Sequence, residues 1–291
     1  MSVGRYRERQ PVKILRSIPA TRRFCRAAAQ PLVLVPTMGA LHAGHASLID
    51  RARKVADPSG TVLVSIFVNP TQFGPKEDLS KYPRTFAADR ALCTEHGADA
   101  IFHPDPGAIY APDHSTWVDE EQVSLPLCGA SRPGHFRGVC TVVLKLFTIT
   151  TPLAAVFGMK DYQQCAVIRR MVRDLNLPVR IVAAPTVREA DGLALSSRNA
   201  YLSPDERSQA PVIPRALVAA RAAFRRGVRD SEKLRRLVWQ TISTMPLARI
   251  DYVEVVDGLT LQLTDTAERG TTIATAVFFG KTRLIDNLQL S

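Results

Sequence analysis

The fold of this chain is decided by the stretch TVLVSIFV, which runs from Thr61 to Val68. It is rich in β-branched residues and almost continuously apolar, as is typical of a strand buried on both faces of a parallel sheet. Further apolar strand-like runs lie at 31–35, 98–103, 154–157 and 179–183. Helical patterns separate these runs, at 42–56, 80–96 and 161–176. This alternation predicts an α/β fold with a doubly wound parallel sheet.

The final third of the chain has a different pattern. Ser203, Pro204 and Glu206 form a helix start, with a serine cap, a proline at the first helical position and a glutamate that completes a capping box. Helices are predicted at 204–226 and 231–244, and strands at 250–256 and 272–279, with 281–287 closing the unit. The pattern predicts a smaller C-terminal α+β domain, residues 186–291, after a larger domain of residues 1–185.

Composition excludes several classes of protein. No apolar run among the 291 residues reaches the roughly 18 that a membrane helix requires, so no membrane partner is expected. The arginine-rich segment 1–10 has no apolar stretch after it, which argues against a secretory signal. The five cysteines are scattered and never form C-x-x-C, so we expect reduced thiols, a cytoplasmic location and no zinc cage.

The net charge of +11 raises the question of a nucleic-acid partner. The basic residues are spread over several segments without interleaved aromatics, and this favours a solvated basic surface and no nucleic acid. A basic active site for anionic substrates would account for part of the excess. The main contributors are Arg5, Arg7, Arg9, Arg22, Arg23, Arg26, Arg225, Arg226, Arg229, Arg235 and Arg236.

The first chemical motif is PTMGALHAGH, from Pro36 to His45, at the junction between a predicted strand and a predicted helix. In open α/β sheets ligands bind at such junctions, and a helix N-terminus offers unpaired N–H groups to a phosphate. His42 and His45 project from one helix face, where two imidazoles can donate hydrogen bonds or a proton to phosphoryl oxygens. Gly44 lets another group approach the backbone closely. The alternative is a pair of surface histidines near a turn.

Two further motifs carry cations. Leu195, Ser196, Ser197 and Arg198 form a donor cluster suited to a triphosphate, although such a cluster can also be a polar turn. The other is FGMKDYQQ, 157–164, in which Gly158 follows a strand end, Lys160 supplies a cation and Asp161 could hold ribose hydroxyls. Alternatively, Asp161 caps its helix and Gln164 completes a capping box.

Polar residues near other strand ends are candidates for substrate contacts. Asn69 and Gln72 follow the strand at 61–68, where amides can bind a small polar substrate. The Gly/Pro-rich cationic stretch 132–139, which begins at Arg132, is predicted to be a loop that acts as a lid or an anion contact. Asp89, on a predicted helix, is interpreted as a possible metal contact or a solvated surface acid.

The H-x-G-H sequence resembles the signature of nucleotidyltransferases and class I aminoacyl-tRNA synthetases, where it binds ATP phosphates. Neither G-x-G-x-x-G nor a Walker P-loop is present, so adenylate chemistry is favoured over hydride or γ-phosphoryl transfer. Together the motifs closely resemble the pantothenate synthetase (pantoate–β-alanine ligase) family over about 31–287. The blocks that carry the resemblance are PTMGALHAGH, SIFVNPTQF, YPRT, RPGHFRGV, FGMKDYQQ, READGLALSSRNAYL and KTRLIDN.

The resemblance implies an enzyme, an ATP-dependent ligase that condenses pantoate with β-alanine through a pantoyl-adenylate. It also implies a homodimer, a Rossmann-like ATP domain, a lid-like C-terminal domain and the use of Mg²⁺, whose ligands stay open. His45 would be the proton donor, with His42, Lys160 and Arg198 as further catalytic residues. Gln72 would contact both small substrates, while Asn69 and Gln164 would hold pantoate. The implied ATP site comprises Pro36, Met38, Gly39, His42, Gly44, His45, Gly158, Met159, Lys160, Asp161, Val187, Leu195, Ser196, Ser197 and Arg198.

Two positions depart from the family pattern: Met159 stands where the family usually has glutamate, and Leu195 where it often has methionine. Two other functions remain open on the sequence. One is another adenylyl- or cytidylyltransferase of the same superfamily, which would leave the nucleotide on its product. The other is an RNA-binding module derived from a synthetase, against which stands the lack of an aromatic base platform.

Overall fold

A computed structural model describes residues 11–74 and 79–291. The arginine-rich segment 1–10 lies outside the described residues. The first part of the chain forms a six-stranded sheet in which every neighbouring pair is parallel, in the order β1-β4-β3-β2-β5-β6. Its strands are β1 (Lys13–Leu15), β2 (Leu32–Thr37), β3 (Thr61–Ile66), β4 (Ala100–Phe102), β5 (Ala154–Gly158) and β6 (Arg180–Ala184). The helices between them are α1 (Ile18–Ala27), α2 (Ala43–Ala56), α3 (Phe86–Glu95), α4 (Pro106–Ile109), α5 (Cys128–Ser131), α6 (His135–Thr150) and α7 (Tyr162–Asp174).

Alternate residues of the central strands enter two different apolar cores. Leu32 and Leu34 of β2 pack with residues of α1, α6 and α7 on one face of the sheet. Val33 and Val35 pack with residues of α2 and α3 on the other face. Because both faces are covered, the strands are apolar at successive positions, and this explains the continuous apolar runs in the sequence. The predicted doubly wound parallel sheet is confirmed.

The sheet order places a topological switch at β2, which lies between β3 and β5. The strands on either side of such a point connect in opposite directions, so a crevice opens at their carboxyl ends. The motif 36–45 follows β2, and the motif 157–164 spans the end of β5. The switch therefore brings these two distant stretches of chain together.

The last third forms a separate antiparallel sheet, as predicted for the α+β domain. Its strands are β7 (Ala248–Val256), β8 (Thr272–Phe279) and β9 (Thr282–Gln289), in that order, and its helices are α8 (Pro204–Gln209), α9 (Val212–Arg225) and α10 (Ser231–Ile242). The helices cover one face of the sheet in a third core. On the other face Val256, Leu261 and Ala274 join the core of the parallel sheet. The parallel sheet ends at Ala184, and the exact domain boundary near Pro185 stays a prediction.

Two predicted helices are shorter than expected because prolines interrupt them. The helix predicted at 80–96 begins only at Phe86, since Pro83 disfavours helical backbone at the residue before it. The helix predicted at 204–226 is broken after Gln209, because Pro211 lacks the N–H that helix continuation requires. The capping box of Ser203 and Glu206 is confirmed, with Ser203 N donating to Glu206 Oε2 at 2.8 Å.

The predicted loop at 132–139 is wrong over most of its length. Gly134, with φ of +79°, is the N-cap of α6, and the stretch from His135 onward is helical. The glycine and proline therefore mark a helix start.

All five cysteines lie within the described residues, and each is a buried free thiol of the larger domain. In the described ranges 11–74 and 79–291, no helix is both long and apolar enough to cross a membrane.

Candidate active site

Two cavities meet at the carboxyl ends of β2 and β5. The inner cavity, about 220 Å³, lies against these strand ends, and the outer cavity, about 990 Å³, lies between the two sheets. They share side chains from both domains, so they form one continuous cleft. The residues that line both are Arg132, His135, Lys160, Asp161, Gln164, Ser196 and Arg198.

The inner cavity brings together most of the residues singled out from the sequence. These are Pro36, Met38, His42, Gly44, His45, Gln72, Arg132, Gly158, Lys160, Asp161, Gln164, Val187, Leu195, Ser196, Ser197 and Arg198. Gly39, Asn69 and Met159 do not line it. The structure thus gathers side chains from several separate stretches of chain around one space.

The two imidazoles have their Nδ1 atoms engaged by backbone N–H groups. His42 is the N-cap of α2, and its Nδ1 accepts from Gly44 N at 3.1 Å. His45 Nδ1 accepts from His42 N at 3.4 Å, and the two ring centroids are 4.3 Å apart. A ring that accepts through Nδ1 is unprotonated there, so its neutral form carries the proton on Nε2. Each imidazole therefore has an Nε2–H that can donate a hydrogen bond.

Both histidines are held in the neutral form. Burial, reinforced by His42 and Lys160, lowers the pKa of His45 to about 3. Burial and then Lys160 also lower the pKa of His42. Near pH 7 the unliganded site thus offers two neutral donors.

The expectation of unpaired N–H groups at the start of α2 is wrong for two of them. Gly44 N donates to the His42 ring, and His45 N donates to His42 O at 2.8 Å. The ring of His42 therefore occupies one of the N–H groups that an anion could otherwise bind. The ring of His42 also explains Gly44, because a Cβ there would lie 2.8 Å from His42 Cε1.

Asp89 is not the solvated surface acid that one interpretation gave, and its role as a metal contact stays a prediction. It is buried, and its carboxylate accepts from Ala40 N at 3.0 Å and from Leu41 N at 2.9 Å. Thr85 Oγ1 donates to the same carboxylate at 3.0 Å. Gly39 and Ala40 both have positive φ, so the turn before His42 is a backbone conformation that needs this support. No local pattern indicates this role of Asp89, because its burial comes from tertiary packing.

Lys160 and Asp161 form an ion pair at the mouth of the inner cavity, with Nζ and Oδ1 3.6 Å apart. Burial raises the pKa of Asp161, but Lys160 and Arg198 outweigh it and hold that pKa below its usual value. The capping interpretation of Asp161 with Gln164 is wrong, because Asp161 sits at the N-cap position of α7 without a side-chain cap bond.

The side chain of Met159 packs against the apolar core.

The stretch 195–198 is carried by a hairpin that ion pairs hold in place. Arg188 pairs with Ala194 in an isolated bridge and donates to both carboxylate oxygens of Asp286. Arg207 donates to Glu189 and Asp191, at 2.7 and 2.6 Å. Sequence reasoning missed these partners, which lie on other elements. One signal could have indicated Arg207: it lies on α8, the first helix after the motif 195–198.

The candidate substrate amides form a bonded pair. Asn69 is buried, and its Nδ2 donates to Gln72 Oε1 at 2.9 Å and to Gly138 O at 3.1 Å. Arg132 Nη2 donates to Gln72 O at 3.2 Å. Since Gln72 Oε1 is engaged by Asn69, its Nε2 is the group left to donate toward the inner cavity.

Gln163, which the sequence did not single out, organises the opposite wall. It accepts from Cys128 N at 2.9 Å, and its Nε2 donates to Val123 O at 3.0 Å and Pro126 O at 2.6 Å. These bonds hold the irregular segment before α5 against α7. Gln164, its neighbour, lines both cavities.

Known proteins are similar to this chain in both sequence and fold. A family model described as pantoate-beta-alanine ligase matches residues 12–289. A pantothenate synthetase from Desulfovibrio desulfuricans is 53% identical over 271 residues, which are 92% of this chain and 94% of that protein.

Two solved structures resemble the fold over nearly its whole length. Pantothenate synthetase from Thermus thermophilus has a TM-score of 0.90 at 44% identity, covering 96% of this chain and 99% of that one. Pantoate-beta-alanine ligase from Francisella tularensis, complexed with beta-gamma ATP and beta-alanine, has a TM-score of 0.78 at 34% identity, covering 96% and 97%.

Proposed function

Because the chain belongs to the pantoate-beta-alanine ligase family, its activity is the ATP-dependent condensation of pantoate with β-alanine, and we propose that it proceeds through a pantoyl-adenylate in the inner cavity. The observation that carries the proposal is the convergence of His45, Lys160 and Arg198 on one cavity that also contains Gln72 and Gln164. Cations and neutral donors suit a polyphosphate, and the amides suit a small hydroxy acid. ATP as substrate accords with the ATP-bound Francisella tularensis relative.

In the first step a carboxylate oxygen of pantoate bonds to the α-phosphorus of ATP, and the bond from that phosphorus to pyrophosphate breaks. Two anions have to approach each other, so Lys160 and Arg198 offset their repulsion. The Nε2–H groups of His42 and His45 donate to phosphate oxygens as charge builds up on them. Since His45 is neutral when unliganded, its starting role is hydrogen-bond donation, and phosphate binding would raise its pKa toward that of a proton donor.

The amides provide orientation for this attack. Gln72 Nε2 and Gln164 would bind pantoate, and Asn69 acts by fixing the orientation of Gln72. In the second step the neutral amine of β-alanine bonds to the acyl carbon, the bond from that carbon to AMP breaks, and the amine loses a proton. The C-terminal domain covers the cleft and would keep water from the mixed anhydride.

Mg²⁺ is a further part of the proposal. Among the described residues, no group of three or more histidine, cysteine or acidic side chains could hold a metal ion. Mg²⁺ in nucleotide sites usually binds phosphate oxygens, waters and one or two carboxylates, so Asp161 with its lowered pKa is a fitting partner. When bound, the ion would neutralise phosphate charge.

The family resemblance also supports a homodimer, which sedimentation velocity would test. The five free thiols support a cytoplasmic location, where thiols stay reduced.

The adenylate is tested by isotope exchange. We expect the purified protein to exchange labelled pyrophosphate into ATP when pantoate is present and β-alanine is absent. Adding β-alanine should then release AMP in amounts equal to pantothenate. Exchange that requires β-alanine would contradict the intermediate. A nucleotide retained on the product would instead indicate a nucleotidyltransferase.

The assigned roles of two side chains can be tested together. We expect His45→Ala and Lys160→Ala each to lower kcat by roughly 10²–10³, the scale of losing one donor to a transition state. Matched controls are His96→Ala, whose ring pairs with Asp50 outside the cleft, and Lys54→Ala, exposed on α2. Near-normal turnover in both active-site variants would refute the assignment.

A further inference from the structure

The KTRLIDN stretch at the end of the chain contains two neighbouring polar residues that bond to different parts of the cleft. It lies mostly on β9, in the C-terminal sheet. Asp286 and Asn287 are adjacent there, and both line the outer cavity. We propose that these two residues are positioning residues that fix the placement of Lys160 relative to Arg198.

Asn287 holds the segment that carries Lys160. Its Nδ2 donates to Met159 O at 2.9 Å and to Lys160 O at 3.0 Å. Both acceptors lie just after the end of β5, in the larger domain, while the donor lies in the smaller one. The backbone of Lys160 is thus bonded directly to β9.

Asp286 holds the hairpin that leads to Arg198. It is 3% exposed, and Arg188 donates to both of its carboxylate oxygens, at 2.7 and 2.9 Å. Arg188 also donates to Gly192 O at 3.0 Å, which closes the hairpin just before Leu195. A bidentate pair of this kind fixes direction as well as distance.

The two tethers start from consecutive residues of one strand, whose Cα atoms are about 3.8 Å apart. β9 is paired along its length with β8, from Thr282 to Gln289, so it is a rigid reference. The two halves of the phosphate site are therefore each fixed to the same point. Because Lys160 and Arg198 are already in place, they need not move when charge develops on the phosphate oxygens. The hydrogen bonds of Asp286 and Asn287 would thus lower the cost of reaching the transition state.

The inference rests on the proposed contact of Lys160 and Arg198 with phosphates. Its first test is Asn287→Ala, together with Asn287→Asp, which keeps the shape but removes the donor. We expect kcat/KM for ATP to fall roughly 10- to 100-fold, as for a small misplacement of a catalytic group. The matched control is Gln289→Ala, because Gln289 is an amide on the same strand that donates to Gly270 O in its own domain. This control should keep wild-type kinetics.

A double-mutant cycle separates positioning from a general loss of structure. If Asn287 acts through Lys160, then Asn287→Ala should lower kcat/KM by about twofold or less when Lys160→Ala is already present. Asp286→Asn should behave in the same way in an Arg198→Ala background. Thermal unfolding of each variant confirms that it is folded.

Three results would overturn the inference. One is unchanged kinetics in both Asn287 variants. Another is a loss of equal size with and without Lys160→Ala, which would indicate a merely structural effect. A fully active Lys160→Ala would overturn the phosphate assignment as well, so failure of the proposed function is distinguished from failure of the tethers alone.

Discussion

At the residue scale, the N-terminal turn of α2 shows how one backbone arrangement sets the chemistry of two side chains. Because backbone N–H groups occupy both Nδ1 atoms, the neutral rings of His42 and His45 donate through Nε2. A lysine or arginine at either position could not accept these bonds. The H-x-G-H spacing therefore selects a tautomer as well as a location.

Gly44 is the residue on which this arrangement depends most directly. In Gly44→Ala the new Cβ would lie 2.8 Å from His42 Cε1 and 2.9 Å from Nδ1, so the ring has to move. We expect kcat/KM for ATP to fall by roughly 10²-fold, as expected for a displaced catalytic donor, with the fold intact. Steady-state kinetics measure this. Gly107→Ala is the control, since nothing lies within 4 Å of a Cβ there. Equal activity of the two variants would exclude the steric argument.

The low pKa of His45 links the site to stability. The pKa is about 3 in the native protein and about 6.5 when unfolded. As the pH falls from 6.5 toward 3, His45 is protonated in the unfolded chain but stays neutral in the native protein. The free energy of unfolding therefore decreases. The decrease is at most about 1.4 kcal/mol per pH unit from this group. Urea unfolding of wild type and His45→Asn across this range should show a shallower slope for the variant. Parallel slopes would mean that His45 titrates normally.

At the element scale, α3 supports the turn that precedes α2. Asp89 of α3 accepts from Ala40 N and Leu41 N, so Asp89→Asn would place an NH₂ donor against a backbone donor. We expect a loss of about 1–3 kcal/mol in the free energy of unfolding and a raised KM for ATP. The exposed Asp105, which makes no cap bond on α4, gives the control Asp105→Asn. A destabilised Asp89→Asn with unchanged KM would show that the turn does not bear on ATP binding.

The strands of the parallel sheet were predictable because burial on both faces leaves a continuous apolar run, as at 61–68. Short or amphipathic elements were not. Neither β1 nor α1 was predicted, since the three residues of β1 are too few for a pattern and the ten residues of α1, IPATRRFCRA, include a proline and three arginines. The start of α6 was predicted to be a loop because proline and glycine, here Pro133 and Gly134, mark loops as well as helix starts.

The candidate site was predictable where a motif lies at a strand end, as with His42 and Lys160. The site was not predictable where a residue on one element bonds to the backbone of another. Asp89 and Gln163 carry no local pattern, and their roles depend on which backbone groups the fold brings to them. Asn69 was expected to hold substrate, and that role stays a prediction; its hydrogen bond to Gln72 Oε1 is a contact that no local pattern indicates.

At the scale of the whole molecule, the two sheets share one apolar core. Val256, Leu261 and Ala274 of the smaller domain pack into the core of the larger. Tyr162 at the start of α7 adds a hydrogen bond to Gly258 O at 2.6 Å. We therefore infer that the two domains unfold together.

The chain has two tryptophans, Trp117 in the larger domain and Trp239 in the smaller. In variants that keep only one of them, through Trp239→Phe or Trp117→Phe, fluorescence follows one domain at a time. We expect the two urea transitions to coincide. Tyr162→Phe should lower the free energy of unfolding by about 1 kcal/mol, as followed by either tryptophan. Transitions that separate, or a shift seen by one tryptophan only, would show that the domains unfold independently.

The placement of the sulfur atoms has a practical consequence. Burial raises the pKa of Cys25 to about 11 and that of Cys140 to about 12, and alkylating reagents attack only the thiolate. All five thiols belong to the larger domain. Iodoacetamide would therefore modify the thiols whose pKa is raised, Cys25, Cys93, Cys140 and Cys165, only while that domain is open, so the mass that they gain over time records how often it opens, without any label having been engineered into the chain.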